Sequence, residues 1–83
     1  MTTHIASVIV RARPEQADAA AARISRVAGA EVRASEGGKI IAVLEASSER
    51  ALADQMEALR DQPGVLMVSL VFHQILDEEP EYS

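Results

Sequence analysis

Two stretches with helical spacing, each flanked by runs of β-branched residues, divide this chain into two similar strand–helix–strand halves that meet at Gly37-Gly38. That repeated order restricts the fold more than any other property of the sequence. Residues 4–12 (HIASVIVRA) alternate as a strand. Pro14 then supplies a first helical position, Glu15 and Asp18 suit a helix N-terminus, Arg23 and Arg26 suit its C-terminal end, and Gly29 is the stop. Between them Ala17, Ala20, Ala21, Ile24, Val27 and Ala28 recur at helical spacing, a stripe of small side chains that lets the helix lie close to what it covers. Residues 30–36 and 39–46 are two extended segments joined at Gly37-Gly38, a pair that tolerates positive φ and marks a hairpin turn. Ser47 or Ser48 can cap a second helix, whose Leu52, Met56 and Leu59, with Gln55 beside them, face the core. Pro63-Gly64 ends it, and residues 65–75 (VLMVSLVFHQI) form a long last strand.

Strand, helix, strand, strand, helix, strand, with helices of about 14 residues and short connections, predicts an α+β fold of ferredoxin-like βαββαβ type. Its four-stranded antiparallel sheet carries both helices on one face, and the other face is left uncovered. With 83 residues the chain suffices for one small domain. Residues 1–76 are read as that domain and residues 77–83 as an acidic, disordered, solvated tail.

Charge and composition narrow the function. Asp77, Glu78, Glu79 and Glu81 hold four of the thirteen acids, so residues 1–76 balance eight cations against nine anions. A nearly neutral body with an acidic tail, in a chain whose only aromatics are Phe72 and Tyr82, lacks the basic field and stacking platforms of a nucleic-acid binder. The absence of cysteine removes disulfides, thiolate metal sites and thiol nucleophiles. Two histidines make a dedicated metal site an unfavoured reading, and no cofactor is expected. Without a signal-peptide pattern or a long apolar run, the expectation is a soluble cytoplasmic protein that does not insert in a membrane.

The uncovered face decides what such a domain can do, because apolar residues left on it call for a partner. Alternation places Ala6, Val8 and Val10 under the helices and Ile5, Ser7, Ile9 and Arg11 on the open side. On residues 39–46, Lys39 and Glu45 draw Ile41 and Val43 outward, leaving Ile40, Ala42, Leu44 and Ala46 inside. On the last strand the same reasoning turns Met67, Ser69, Val71 and His73 outward and Leu66, Val68, Leu70 and Phe72 inward. The result is a lightly polar apolar platform. Each member has a plainer explanation: His73 as an ordinary sheet residue, Arg11 and Glu45 as a surface ion pair, the apolar residues as a self-association surface.

Several activities of this fold are disfavoured by absence. There is no cysteine pair for copper, no aromatic in KIIAVLEA for RNA, no asparagine for an acylphosphatase-like site, and no glycine in the loop after the first strand for an amino-acid-sensing domain. A binding module is what remains. Ser7-Val8-Ile9-Val10-Arg11-Ala12, then Gly38 to Ala46 (GKIIAVLEA), and above all Gly64 to Gln74 (GVLMVSLVFHQ) resemble the NapD family from about His4 to Gln74, with Phe72 where tyrosine is common.

That resemblance implies a non-enzymatic, cofactor-free chaperone. Such proteins bind the twin-arginine signal peptide of the periplasmic nitrate reductase subunit NapA, hold the precursor back from the Tat export machinery, and support molybdenum cofactor insertion. It also implies that the peptide lies on the sheet face opposite the helices. There Glu45 would receive the arginines. Ile9, Ile41, Val43 and Val71 would take the peptide's apolar side, with Ser7 and Met67 in the same platform. Ser69 and His73 would hydrogen-bond at the edge, and Arg11 would pair with Glu45 or a peptide carbonyl. The alternative is a small-ligand-binding regulatory domain that dimerises through its sheet face; among partners, a weak homodimer stands beside the NapA precursor as an expectation.

Overall fold

The computed structural model describes residues 2–77. Strand β1 (Thr2–Ala12) leads through a 3-10 turn (Pro14–Gln16) into helix α1 (Ala17–Ile24). Strands β2 (Ala30–Glu36) and β3 (Lys39–Ala46) form a hairpin, helix α2 (Glu49–Arg60) follows, and strand β4 (Val65–Asp77) closes the fold. The sheet order is β2-β3-β1-β4 with every neighbouring pair antiparallel, the ferredoxin-like arrangement the element order predicts.

The two middle strands follow their alternation. Ala6, Val8 and Val10 on β1 and Ile40, Ala42 and Leu44 on β3 are fully buried, and they share one core with Ala20 and Ile24 of α1 and Leu52 and Leu59 of α2. Val8 stands opposite Ala42 and Val10 opposite Ile40, so these side chains occupy one face beneath both helices. Burying a side chain of leucine or isoleucine size contributes about 1.5–3 kcal/mol, so this face carries most of the stability. Gly37 (φ 59°) and Gly38 (φ 84°) both adopt the positive φ that a tight hairpin of type I′ requires, and the strands leave them in the register Glu36 to Lys39.

The helices follow their sequence signals, with one shortened. Ser48 caps α2, its hydroxyl accepting from the Ala51 N–H at 3.0 Å. Helix α1 spans eight residues rather than the expected fourteen or so. The proline-led start winds as a 3-10 turn. After Ile24 the backbone tightens into three-residue bonds, Arg26 N–H to Arg23 and Val27 N–H to Ile24, while the Ser25 hydroxyl donates to the Ala22 carbonyl. Ala28, placed on the core stripe by spacing, is exposed for this reason.

Strand β4 departs most from its expected pattern. Arg11 pairs with Met67 but Ala12 with Val65, and Val8 pairs with Leu70 but Ser7 with Phe72, so Leu66 and Val71 are extra residues at two irregularities of a bulged strand. Each extra residue inverts the alternation beyond it. Of the four residues expected inside, only Val68 is buried; Leu66, Leu70 and Phe72 are about half exposed or more. The strand also continues through Asp77, one residue beyond the expected domain limit, and residues 78–83 of the predicted tail lie outside the described residues.

Candidate functional site

The open face is a grid set by strand register. Across β3, β1 and β4, its rungs read Glu45, Ile5, Gln74; then Val43, Ser7, Phe72; then Ile41, Ile9, Ser69; and finally Lys39, Arg11, Met67. Strand β2 adds Glu31 beside Val43, Ala34 beside Ile41 and Glu36 beside Lys39. Ile5, Ser7, Ile9, Ile41, Val43 and Ser69 are half-buried within the grid although no helix covers them, because each is partly shielded by its sheet neighbours. Arg11, Lys39, Glu45, Met67 and Phe72 are exposed.

Nine of the ten sequence-predicted positions therefore lie on or beside this surface; His73 does not. Beyond Val71, His73 stands opposite the fully buried Ala6 and faces the helix side. Its ring stacks on that of His4 with centroids 5.3 Å apart, and a hydrogen bond of 3.1 Å joins His4 Nδ1 to His73 Nε2, one ring nitrogen donating to the other. Its side chain is a tie between the first and last strands and is corrected from the peptide site. Val71 is the extra residue itself, 59% exposed. Phe72 takes the platform position instead, opposite Ser7 and 53% exposed. Alternation carried from Ser69 to His73 put both on one face, whereas the extra residue falls between them in the all-apolar run Leu70-Val71-Phe72 and reverses the faces there.

The expected pairing of Arg11 with Glu45 is also corrected. Arg11 stands opposite Lys39, whereas Glu45 stands opposite Ile5, six residues away along β1 or about 20 Å. Among the described residues the ion pairs are Glu31 with Arg33 at 3.3 Å and Glu57 with Arg60 at 3.4 Å. Glu45 thus carries a carboxylate without an ion-pair partner among the described residues, with a depression of about 270 Å³ on one side, shared with Gly29, Ala30, Glu31 and Val43. On its other side lies one of about 300 Å³, shared with Thr2, Thr3, Ala46 and Ser47.

The position of Glu45 is fixed from behind. Its backbone N–H donates to the Gly29 carbonyl at 2.8 Å, and its carbonyl accepts from Gln55 Nε2 at 2.9 Å. The same Gln55 nitrogen donates to the Ala28 carbonyl at 2.9 Å, so one side chain of α2 ties the end of β3 to the loop before β2. Gly29 must be glycine here: its φ is 82°, and a Cβ would press on the Gln55 amide and the Glu45 carbonyl oxygen. Helical spacing placed Gln55 on the core side of α2 but carried no sign of this bridge.

An uncovered, half-apolar sheet face with the backbone of Glu45 held at its end, behind which two helices build the core, defines a small α+β domain of ferredoxin-like type. Comparison with known proteins gives the particular family. A family model described as NapD protein matches residues 3–77. Chaperone NapD of Paracoccus pantotrophus is 41% identical over 73 residues, which cover 88% of this chain and 65% of that protein, so the chain spans just under two thirds of that relative. Chaperone NapD of Escherichia coli K12 is 35% identical over 72 residues, covering 84% of this chain and 83% of that protein. The solution structure of the E. coli Tat proofreading chaperone NapD superimposes with a TM-score of 0.81 at 32% identity, covering 98% of this chain and 86% of that one. The chain belongs to the NapD family, whose members matched here are named chaperones.

Proposed function

We propose that this chain is a cytoplasmic chaperone that binds the twin-arginine signal peptide of the periplasmic nitrate reductase subunit NapA on its open sheet face. It would thereby delay export of the precursor while the molybdenum cofactor is inserted. The observation that carries this reading is the pairing of an apolar, helix-free face with the exposed Glu45 carboxylate at its end, which has no ion-pair partner among the described residues. An arginine pair followed by an apolar segment has the complementary composition: guanidinium groups make charge-assisted, bidentate hydrogen bonds to carboxylate, and the apolar segment covers Val43, Ile41, Ile9 and Phe72. The solved relative of the same fold is described as a Tat proofreading chaperone, which supports the same partner class. The activity is binding without turnover.

Calorimetric titration with a synthetic NapA signal peptide, and with a copy whose two arginines are lysines, tests this reading. Saturable binding that weakens for the lysine copy is the expected result, because lysine cannot reproduce the planar two-point contact. Heat changes no larger than dilution for both peptides would refute it. No helix among the described residues is long and apolar enough to cross a membrane.

A further inference from the structure

The two edges of the sheet are built differently. Strand β2, at one edge, is seven residues long and carries Glu31, Arg33 and Glu36. Charges of this kind keep other strands from adding to an edge. Strand β4, at the other edge, is 13 residues long, and from Val65 to Leu76 it has no Asp, Glu, Lys or Arg. It pairs with β1 on one side, and the N–H and C=O groups on its outer side have no strand partner among the described residues. Leu66, Met67, Leu70, Val71, Phe72 and Ile75 along it are about half exposed or more. We infer that β4 is the seam of a homodimer: it pairs antiparallel with β4 of a second copy and joins two four-stranded sheets into one.

A second copy is the occupant because the strand is complementary to itself. A two-fold axis normal to the sheet relates antiparallel edges and keeps the helices of both copies on one side. Residues opposed across the seam must therefore share a face. The extra residue Val71 reverses the faces of β4, so the register that matches them puts the axis between Val71 and Phe72. Met67 then opposes the partner copy's Leu76 on the open face, and Val68 opposes its Ile75 on the helix side. Ser69 meets Gln74 on the open face in the same way, polar against polar, and only Leu70 with His73 mixes the two characters.

The ends match as well. Leu66 is the other extra residue, which brings Val65 beside the partner copy's Asp77 on the helix side. There Arg60 lines a depression of about 270 Å³ with Val65, Leu66, Met67 and Val68. Arg60 pairs with Glu57 at 3.4 Å, and its guanidinium keeps further donors for a second carboxylate. The one carboxylate of β4 thus arrives at a cation at both ends of the seam, whereas a parallel pairing would set Asp77 against Asp77.

The size of the seam fixes its character. A strip of 13 residues is about 40 Å long, and at about 10 Å wide it removes about 400 Å² from each copy, half of what a standard interface takes. The dimer therefore forms and dissociates with concentration. It leaves both open faces uncovered and sets the two Phe72 side chains beside the axis, so it is compatible with the peptide reading and does not depend on it.

Sedimentation equilibrium of the full chain from micromolar to millimolar concentration tests the dimer. The expected result is an average mass that rises from one chain toward two; the mass of one chain at every concentration overturns it. Val71→Lys sets two lysines together at the axis, at a 59% exposed position that the core does not use, and should abolish the rise while keeping the wild-type melting temperature at the lowest concentration. Association as strong as that of the wild type overturns the seam. Disulfide trapping reads the register in a chain with no cysteine of its own. Ser69→Cys and Gln74→Cys chains, mixed and oxidised, should join to each other, because opposed residues stand within disulfide reach. Neither should join to its own kind, whose cysteines lie five residues out of register, about 17 Å. A covalent dimer of either variant alone, or none from the mixture, overturns the proposal.

Discussion

Strands β3 and β4 flank β1 on its two sides and are similarly rich in apolar residues, yet they use them in opposite ways. Strand β3 buries every second residue, Ile40, Ala42, Leu44 and Ala46, and keeps Ile41 and Val43 for the open face. Strand β4 buries only Val68 and leaves Leu66, Met67, Leu70, Val71, Phe72 and Ile75 about half exposed or more. The difference comes from position. Strand β3 is interior and lies against both helices, so a one-residue slip would expose its whole core set. Strand β4 is an edge, and its irregularities at Leu66 and Val71 cost the core little while turning Phe72 onto the platform and His73 toward His4. One strand holds the fold together and the other shapes the surface.

Truncation should separate them most. Leu44→Ala removes a fully buried side chain and should cost about 2–5 kcal/mol in denaturant unfolding, whereas Leu70→Ala should cost less than about 1 kcal/mol. Equal losses would show that β4 is structural after all. On the platform, Glu45→Lys should weaken binding of the twin-arginine peptide by about tenfold or more at unchanged melting temperature, measured by calorimetry alongside thermal unfolding.

Gly29→Ala comes next. It forces an alanine to positive φ and into the Gln55 and Glu45 contacts, and should destabilise by at least about 1–2 kcal/mol. A melting temperature like that of the wild type would mean that the α2 bridge behind Glu45 is dispensable. His73→Ala should lower stability by about 0.5–1.5 kcal/mol through the lost His4 contact and leave peptide affinity as it was; a drop in affinity would return this residue to the binding face.

Deleting Val71 is the smallest and most diagnostic change. If Val71 is the extra residue, its removal leaves Leu70 opposite Val8 and Phe72 opposite Ser7, and stability stays within about 1 kcal/mol. A nuclear Overhauser contact between the His4 and His73 rings should survive the deletion. Its disappearance would mean that β4 alternates without a break.

The sequence made legible whatever a period or a turn residue encodes. Alternation on β1 and β3 placed their core and platform residues, Gly37-Gly38 marked the hairpin, and Ser47-Ser48 marked the start of α2, between which the structure selects Ser48. Glu45 stood out because a carboxylate interrupts an otherwise apolar run. What stayed hidden depends on register between strands distant in sequence. That Arg11 faces Lys39 rather than Glu45 follows from how β1 aligns with β3, which neither strand announces. The break at Val71 falls between Ser69 and His73, whose spacing of four reads as one face, and the apolar residues between them do not mark the change. The Gln55 bridge joins helix, loop and strand through backbone carbonyls, which have no sequence signature.

The central claim is that the sheet face, and not the helix side or the β4 edge, receives the peptide. Methyl nuclear magnetic resonance during peptide titration tests it directly, because isoleucine methyls sample both faces of the sheet. The account predicts that the Ile5, Ile9, Ile41 and Val43 methyl signals move with saturation while those of Ile24 and Ile40, buried beneath the helices, stay in place. Movement confined to Ile75 and Leu70, or to the helix-side methyls, would contradict it.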